Sequence, residues 1–167
     1  ALLDYEYAIA SEEFQTISHE KNWEALAERS YLWAKFIWVF ADFQSVIRKE
    51  GDRDGINDKG LVTYDRQIKK DAFYFYKANW NTEPMLHLCD SRFTERFYSI
   101  TSIKAYTNLE AAILYVNGKK IGKMKRDKYN RVIWNNILLQ PGENIIRIDA
   151  KNGKKIISES CVWTLKL

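Results

Sequence analysis

The sequence contains only two cysteines and two histidines among its 167 residues. Cys89 and Cys161 are too few for a disulfide framework, and neither lies in the C-x-x-C spacing that is typical of zinc ligands. His19 and His87 are isolated from each other and from further ligands, so they do not suggest a metal site. We therefore predict neither a metal nor another cofactor.

Long apolar runs are also missing. No stretch approaches the roughly 18 residues that a membrane-spanning helix needs, and the first residues lack the basic and apolar regions of a secretion signal. We therefore predict no membrane span in this chain, and the missing signal says nothing about export if more residues precede it.

Charge is distributed unevenly along the chain. The net charge is −3 over residues 1–80 and +7 over the remainder, which adds to the overall +4. A basic half can indicate nucleic acid or an acidic polymer as a partner. However, its lysines cluster near predicted turns instead of alternating with aromatic residues along one strand face, so we predict no nucleic-acid partner. The lysines concerned are Lys119, Lys120, Lys154 and Lys155.

The first half of the chain predicts the order helix, strand, long loop, helix. Ser11 is a good N-cap for a helix over 11–29, and two glutamates follow in its first turn. The almost continuous apolar run 36–41 is typical of a strand buried on both faces. A polar, glycine-containing loop over 44–60 separates it from a second predicted helix over 65–78. The apolar positions expected to face inward from the first helix are Phe14, Ile17, Trp23 and Leu26.

The second half predicts an antiparallel β-sandwich. Asn117-Gly118 and Asn152-Gly153 are strong hairpin signals, because a type I′ turn needs positive φ at both central residues. About seven short strands follow at the spacing of an immunoglobulin-like sandwich. We place the boundary within residues 80–84, giving domains 1–82 and 83–167. Because a single β/α unit leaves strand edges unpaired, the first domain is predicted to be an incomplete part of a larger sheet or barrel.

The first half contains four ordered motifs: Ser11-Glu12-Glu13-Phe14-Gln15, Phe36-Ile37-Trp38-Val39-Phe40-Ala41-Asp42-Phe43, Gly55-Ile56-Asn57-Asp58-Lys59-Gly60-Leu61-Val62-Thr63 and Lys69-Lys70-Asp71-Ala72-Phe73-Tyr74-Phe75-Tyr76. Together they resemble the end of the (β/α)8 barrel in glycoside hydrolase family 2, the β-galactosidases and their relatives. The hairpin phrase 114–122 resembles one in the immunoglobulin-like domains that follow such barrels. The resemblance implies a mixed fold, a partial (β/α)8-barrel segment followed by an immunoglobulin-like antiparallel β-sandwich.

The resemblance implies a retaining glycosidase, most closely a β-galactosidase. Such enzymes need two carboxyl groups about 5 to 5.5 Å apart, and in the family both glutamates come from earlier barrel strands. Glu6 lies in a sequence context similar to that of the nucleophile, but the glycine of that context is absent. We therefore predict no catalytic residue in this chain and no activity of the chain in isolation. The missing N-terminal domains of the same polypeptide are the implied partner.

Three residues are predicted to bind the sugar. The resemblance places Trp38 at the C-terminal end of the last barrel strand, packed against the sugar, whereas the residues alone favour a core aromatic. Asn57 and Lys59 resemble the pair by which family 2 β-glucuronidases hold the sugar carboxylate, so a β-hexuronidase is the alternative. Lys59 could instead pair with Asp52, Asp54 or Asp58 and anchor the loop. Asp42 is interpreted as a structural acceptor that holds loops.

A rival hypothesis from another class is a non-catalytic binding module for carbohydrate or an acidic polymer. Trp134 and Trp163 would form its platform if they were exposed, but strand alternation predicts that both point into the core. For the enzyme, the expected partner is a carbohydrate substrate, a β-galactoside or a β-hexuronide. A periplasmic or secreted location is compatible with the full-length protein.

Overall fold

The computed structural model describes residues 12–47 and 54–166. Its contacts divide the chain into two compact units, with the division between Phe75 and Tyr76. We call the part before the division unit 1 and the part after it unit 2. The boundary predicted from the sequence, between residues 82 and 83, stays a prediction.

Unit 1 contains one long helix and short extended segments. Helix α1 spans Glu12–Leu26, strands β1 (Phe43–Gln44) and β2 (Ile56–Asn57) pair antiparallel, and helix α2 (Asp71–Trp80) contains the division. Ala41 forms a parallel bridge with Val62, and Val62 forms an antiparallel bridge with Lys69. Residues 60–62 thus lie between the segment after Trp38 and the segment before α2.

The prediction for α1 needs two corrections, one for its last residue and one for the side that is buried. The helix ends at Leu26 instead of residue 29. The predicted N-cap Ser11 lies outside the described residues, so that prediction stays untested. Phe14 and Ile17, expected to face inward, are 40% and 50% exposed, whereas the polar Thr16 and Glu20 are buried. The reason is that the polar side of the helix faces a polar loop, to which Gln15 donates hydrogen bonds.

The prediction of a strand buried on both faces at residues 36–41 is wrong for this structure. In the described part of the chain these residues form no regular strand, and Ala41 makes their isolated bridge. Phe36, Trp38 and Phe40 are 84%, 73% and 57% exposed. Among the described residues, the backbone of this segment is hydrogen-bonded to 60–62 along one edge.

Helix α2 begins at Asp71, six residues later than the prediction of residue 65, and ends at Trp80. The intervening residues form a turn held by side chains. The Thr63 hydroxyl accepts a hydrogen bond from the Ile68 amide, and Asp65 Oδ1 accepts one from the Gln67 amide. Such local side-chain bonds compete with helix formation, and Arg66 has a φ of 60°.

Unit 2 consists of two β-sheets. The five-stranded sheet has the order β4-β10-β9-β6-β7, and the three-stranded sheet has the order β3-β5-β8. All pairs are antiparallel except β4 with β10. The strands are β3 (Leu86–Leu88), β4 (Glu95–Arg96), β5 (Ile100–Thr107), β6 (Ala111–Val116), β7 (Lys119–Lys125), β8 (Arg131–Leu138), β9 (Gly142–Asn152) and β10 (Lys155–Leu165).

One apolar core lies between these two sheets. In β9, Ile146, Ile148 and Ala150 are buried while the intervening residues are not, as the alternation of a strand requires. Trp134 and Trp163 belong to the same core, so their predicted inward orientation is confirmed. Burial of each large apolar side chain stabilises the fold by about 1.5 to 3 kcal/mol. The structure thus confirms two packed β-sheets, whereas the immunoglobulin-like topology stays a prediction.

The turns of unit 2 follow the residues that need unusual backbone angles. Asn117 and Gly118 both have positive φ (50° and 76°), and Val116 pairs with Lys119, which confirms the predicted hairpin. The second hairpin is shifted by one residue. Asn152 pairs with Lys155, so the turn is Gly153-Lys154, and Gly153 has a φ of 61°. This is the position at which a II′ turn requires glycine.

Both cysteines are free. Cys89 is buried directly after β3, and Cys161 lies in β10, where burial raises the pKa of its thiol to about 11. An inert, protonated thiol is expected from such surroundings. Neither α1 nor α2 is long and apolar enough to cross a membrane, and the described residues hold no other helix of that kind.

Candidate sugar-binding site

The predicted site residues surround residues 57–60, which we call the 57–60 loop. Asp42 follows the 36–41 segment and holds the end of this loop. Its Oδ1 atom accepts a hydrogen bond from the Gly60 amide at 2.8 Å and one from the Lys70 ammonium, also at 2.8 Å. The interpretation of Asp42 as a structural acceptor for loops is thus in agreement with the structure.

Lys70 connects Asp42 to the middle of the loop. Its Nζ atom donates to the Asp58 carbonyl oxygen at 2.7 Å, and Asp58 stands between Asn57 and Lys59. Lys70 and Asp42 are only 7% and 5% exposed. A buried charge is tolerated when it is paired and hydrogen-bonded, and Lys70 meets both conditions.

Gln15 holds the loop from α1. Its Nε2 atom donates to the Gly60 carbonyl at 2.9 Å and to the Asp58 carbonyl at 3.3 Å. Three side chains from distant parts of the sequence, Gln15, Asp42 and Lys70, therefore bond to the backbone of Asp58 and Gly60, the residues on either side of Lys59.

Gly60 is required at its position by space. A Cβ atom there would lie 2.0 Å from the Asp42 amide nitrogen and 2.3 Å from the Ala41 carbonyl carbon. Both are backbone atoms, which cannot rotate away as a side chain can. The close approach lets the Gly60 amide reach the Asp42 carboxylate.

The two predicted sugar-binding residues of the loop play different parts. Asn57 is 2% exposed, and its Oδ1 atom accepts a hydrogen bond from the Lys59 amide at 3.1 Å, which stabilises the turn. The Lys59 side chain is exposed. Asn57 thus shapes the loop, while Lys59 is the cation that the loop presents to solvent.

Trp38 is the third predicted residue. Its ring is exposed and meets the ring of Phe43 edge-on, with centroids 6.1 Å apart. The peptide bond from Trp38 to Val39 is cis. The Leu61 amide donates to the Val39 carbonyl at 3.0 Å, so the residue after Trp38 is bonded to the segment that follows Lys59 and Gly60. The structure therefore brings the predicted residues to adjacent segments of unit 1.

His19 lies close enough to Lys70 to experience its charge. Burial, and then the positive charge of Lys70, lower the pKa of His19 below its ordinary value of 6.5. A neutral imidazole at physiological pH is the expected result. In residues 12–47 and 54–166, no cluster of three or more histidine, cysteine, aspartate or glutamate residues is placed to bind a metal.

The arrangement can bind and orient a polar ligand. An exposed indole ring suits the apolar face of a flat ligand, and an ammonium on a fixed loop suits an anionic or hydroxyl group. The Asp42 carboxylate accepts hydrogen bonds from Lys70 and Gly60, which fits a structural role. Glu6, the other carboxylate considered from the sequence, lies outside the described residues.

The sequence analysis did not single out Lys70 and Gln15. Both stand within motifs quoted for the family resemblance, but nothing in the sequence distinguishes the buried Lys70 from the exposed Lys69 beside it. The distinction comes from the bridge between Val62 and Lys69. Since successive residues of an extended segment point to opposite sides, Lys70 points into unit 1.

Comparisons with known proteins identify the class. A family model described as a domain of unknown function, DUF4982, matches residues 99–157. The chain is 48% identical over 152 residues to a β-glucuronidase from Bacteroides fragilis, an alignment that covers 90% of this chain and 22% of that protein.

Solved structures of glycosidases are similar to this chain as well. The FMN-binding β-glucuronidase from Facaelibacterium prausnitzii L2-6 has a TM-score of 0.83 at 33% identity, covering 93% of this chain and 23% of that one. A putative β-galactosidase from Bacteroides fragilis has a TM-score of 0.87 at 31% identity, covering 92% and 23%. The relatives are thus glycosidases, and the chain spans about a fifth of their length. The chain belongs to the glycoside hydrolase family 2 enzymes, as one segment of them, which confirms the resemblance predicted from its motifs.

Proposed function

We propose that the full-length protein is a retaining glycosidase that hydrolyses terminal β-glycosidic bonds, and that Trp38 and the 57–60 loop bind the sugar. The observation that carries the proposal is the construction of the loop. Its backbone is held by Gln15, Asp42 and Lys70, whereas the Lys59 side chain is exposed. Rigid support for an exposed polar group is what a binding site requires.

The chemistry of bond cleavage belongs to residues beyond those described. A retaining glycosidase uses one carboxylate as nucleophile and a second carboxyl group as acid and then base. Asp42 is engaged as an anchor. We propose that both catalytic glutamates lie in another part of the polypeptide, and that the isolated 167-residue chain binds sugar weakly and does not hydrolyse it.

A hexuronide is the substrate that best uses Lys59. An ammonium forms a charge-assisted hydrogen bond with a carboxylate, and a sugar without an anionic group offers no such partner. Asn57 supports this by capping the turn on which Lys59 stands. The relatives include both β-glucuronidases and β-galactosidases and so support the two substrates equally.

A β-galactoside, which the sequence analysis places first, is the second candidate. It is supported by the similarity to the putative β-galactosidase and by the Gly55–Val62 phrase, which galactosidase-like members share. With this substrate Lys59 would bond to a hydroxyl group, and its removal would cost less than the loss of an ion pair.

The exposed aromatic side chains of unit 1 support a larger protein. Soluble proteins rarely leave large apolar side chains together in water unless the surface meets a partner. We propose that these side chains pack against the remaining barrel of the same polypeptide. The side chains concerned are Tyr31, Trp33, Phe36, Trp38 and Phe40.

The test is hydrolysis of a panel of nitrophenyl glycosides by the full-length protein, with the configuration of the first product followed by NMR. We expect turnover of β-glycosides, β-glucuronide above β-galactoside, and a first product of β configuration. The isolated chain serves as the inactive control. An α first product, or no turnover of any β-glycoside, would contradict the proposed activity. Binding without turnover would favour the carbohydrate-binding module.

A further inference from the structure

The Lys70 ammonium is buried beneath the 57–60 loop and is hydrogen-bonded to it. It is almost wholly buried, and it bonds to the one backbone carbonyl that lies between the two predicted sugar-binding residues of the loop. Its second partner, Asp42, bonds in turn to the Gly60 amide on the other side of Lys59. The residues before and after Lys59 are therefore tied to the same ion pair.

Gln15 adds a third attachment that does not depend on charge. Its amide donates to the same Asp58 carbonyl and to the Gly60 carbonyl. The described backbone hydrogen bonds of Asp58, Lys59 and Gly60 involve the side chains of Gln15, Asp42, Lys70 and Asn57. The backbone on both sides of Lys59 is thus held by side chains that are buried or, for Gln15, partly buried.

We propose that Lys70 is a positioning residue for substrate recognition, and that it acts with Asp42 and Gln15 by fixing the direction in which Lys59 points. The inference rests on the proposed hexuronide function, since it concerns the discrimination of an acidic sugar from a neutral one. A charge-assisted bond depends strongly on distance and angle. A shift of about 1 Å in a positioning element can cost about 100-fold in rate.

The expected signature is a change in specificity. Replacing Lys70 with methionine keeps the length of the side chain but removes both hydrogen bonds. In the full-length enzyme, Lys70→Met should lower kcat/KM for nitrophenyl β-glucuronide by about 10- to 100-fold, and kcat/KM for the β-galactoside by less than about threefold. The matched control is Lys21→Met, because Lys21 makes an exposed pair with Glu24 on α1.

A double-mutant cycle separates positioning from general support. If Lys70 acts through Lys59, the variant Lys59→Ala/Lys70→Met should be no worse on the glucuronide than Lys59→Ala alone. Multiplied losses, or equal losses on both substrates, would overturn the inference and show that Lys70 only supports the fold.

Lys70→Met removes a partner of a buried carboxylate, and if this prevents purification, Gln15→Met tests the inference instead. This variant leaves the ion pair of Lys70 and Asp42 intact. It should still lower the ratio of kcat/KM for the β-glucuronide to kcat/KM for the β-galactoside at least threefold. An unchanged ratio would overturn the inference. Failure of the proposed function is recognised separately: Lys59→Ala itself would then leave glucuronide hydrolysis unchanged.

Discussion

The Lys70 ammonium and the Asp42 carboxylate lie 2.8 Å apart with both side chains almost wholly buried, and they join the segments that precede and follow the 57–60 loop in the sequence. Asp42 is preceded by the exposed aromatic segment, and Lys70 directly precedes α2. The pair thus connects the element that carries Trp38 with the loop that carries Lys59. Its energetic importance can be tested.

Removal of one partner should destabilise unit 1 strongly. Asp42→Ala leaves the Lys70 charge buried without its carboxylate, and such changes cost about 3 to 5 kcal/mol. The exposed pair of Lys21 and Glu24 is the matched control, and Lys21→Ala should cost less than about 1 kcal/mol. Urea unfolding followed by tryptophan fluorescence and by amide exchange in α1 measures both. Equal losses for the two variants would show that the buried pair has no special part in stability.

Gly60 should not tolerate a methyl group. In Gly60→Ala the new carbon would overlap backbone atoms of Ala41 and Asp42, so the loop must move and release the Asp42 carboxylate. We expect a loss of roughly 3 kcal/mol or more in unit 1. Gly122→Ala is the control, because a Cβ there meets nothing within 4 Å, and it should cost about 1 kcal/mol or less. A tolerated Gly60→Ala would mean that the close approach is not needed.

The stability of unit 1 should fall at mildly acidic pH through His19. Because burial and Lys70 lower the pKa of His19 in the folded state, the unfolded chain binds its proton more readily. Stability is therefore fully present above the ordinary value of 6.5 and is lost as the pH falls below it. The measurement is urea unfolding of the wild type and of His19→Gln between pH 7.5 and roughly 5.5. As the pH falls, the free energy of unfolding of the wild type should decrease more than that of His19→Gln. Parallel pH profiles would exclude His19 as the cause.

Unit 2 should fold without unit 1. It has its own core, and the end of α2 is bonded to the loop before β8: Asn79 Nδ2 donates to the Tyr129 carbonyl and Asn130 Nδ2 to the Ala78 carbonyl. A chain of residues 76–167 should therefore melt cooperatively. A chain starting at Glu83, as the sequence boundary predicts, should also melt cooperatively but at a lower temperature, because both of these bonds are lost. Calorimetry decides, and the absence of a cooperative transition in both chains would refute the independent domain.

The features predicted correctly are those that depend on neighbouring residues. The Asn117-Gly118 turn follows from the backbone angles that its two residues adopt readily, and the burial of Trp134 and Trp163 follows from strand alternation. The second hairpin was misplaced by one residue because its register is set by eleven paired positions of β9 and β10, not by the turn alone.

The features predicted wrongly depend on distant partners. The apolar run 36–41 has the composition of a buried strand, but burial needs neighbouring strands, and among the described residues it pairs with 60–62. The first part of the predicted second helix is a turn because Thr63 and Asp65 bond to nearby amides. For the candidate site, the sequence predicts that Trp38, Asn57 and Lys59 bind the sugar, and these roles stay predictions. The supporting Gln15 and Lys70 could not be identified, because their partners lie 43 to 45 and 12 to 28 residues away.

The most direct test of the proposed function is kcat/KM for nitrophenyl β-glucuronide of the full-length protein and of its Lys59→Ala variant. If Lys59 holds the sugar carboxylate, the variant should lose on the order of 2 to 5 kcal/mol of transition-state stabilisation, while hydrolysis of the β-galactoside changes less than about threefold. Lys21→Ala should behave as the wild type on both substrates. An unchanged kcat/KM for the glucuronide, or a loss confined to the galactoside, would contradict the carboxylate-binding role and leave Lys59 as a loop anchor.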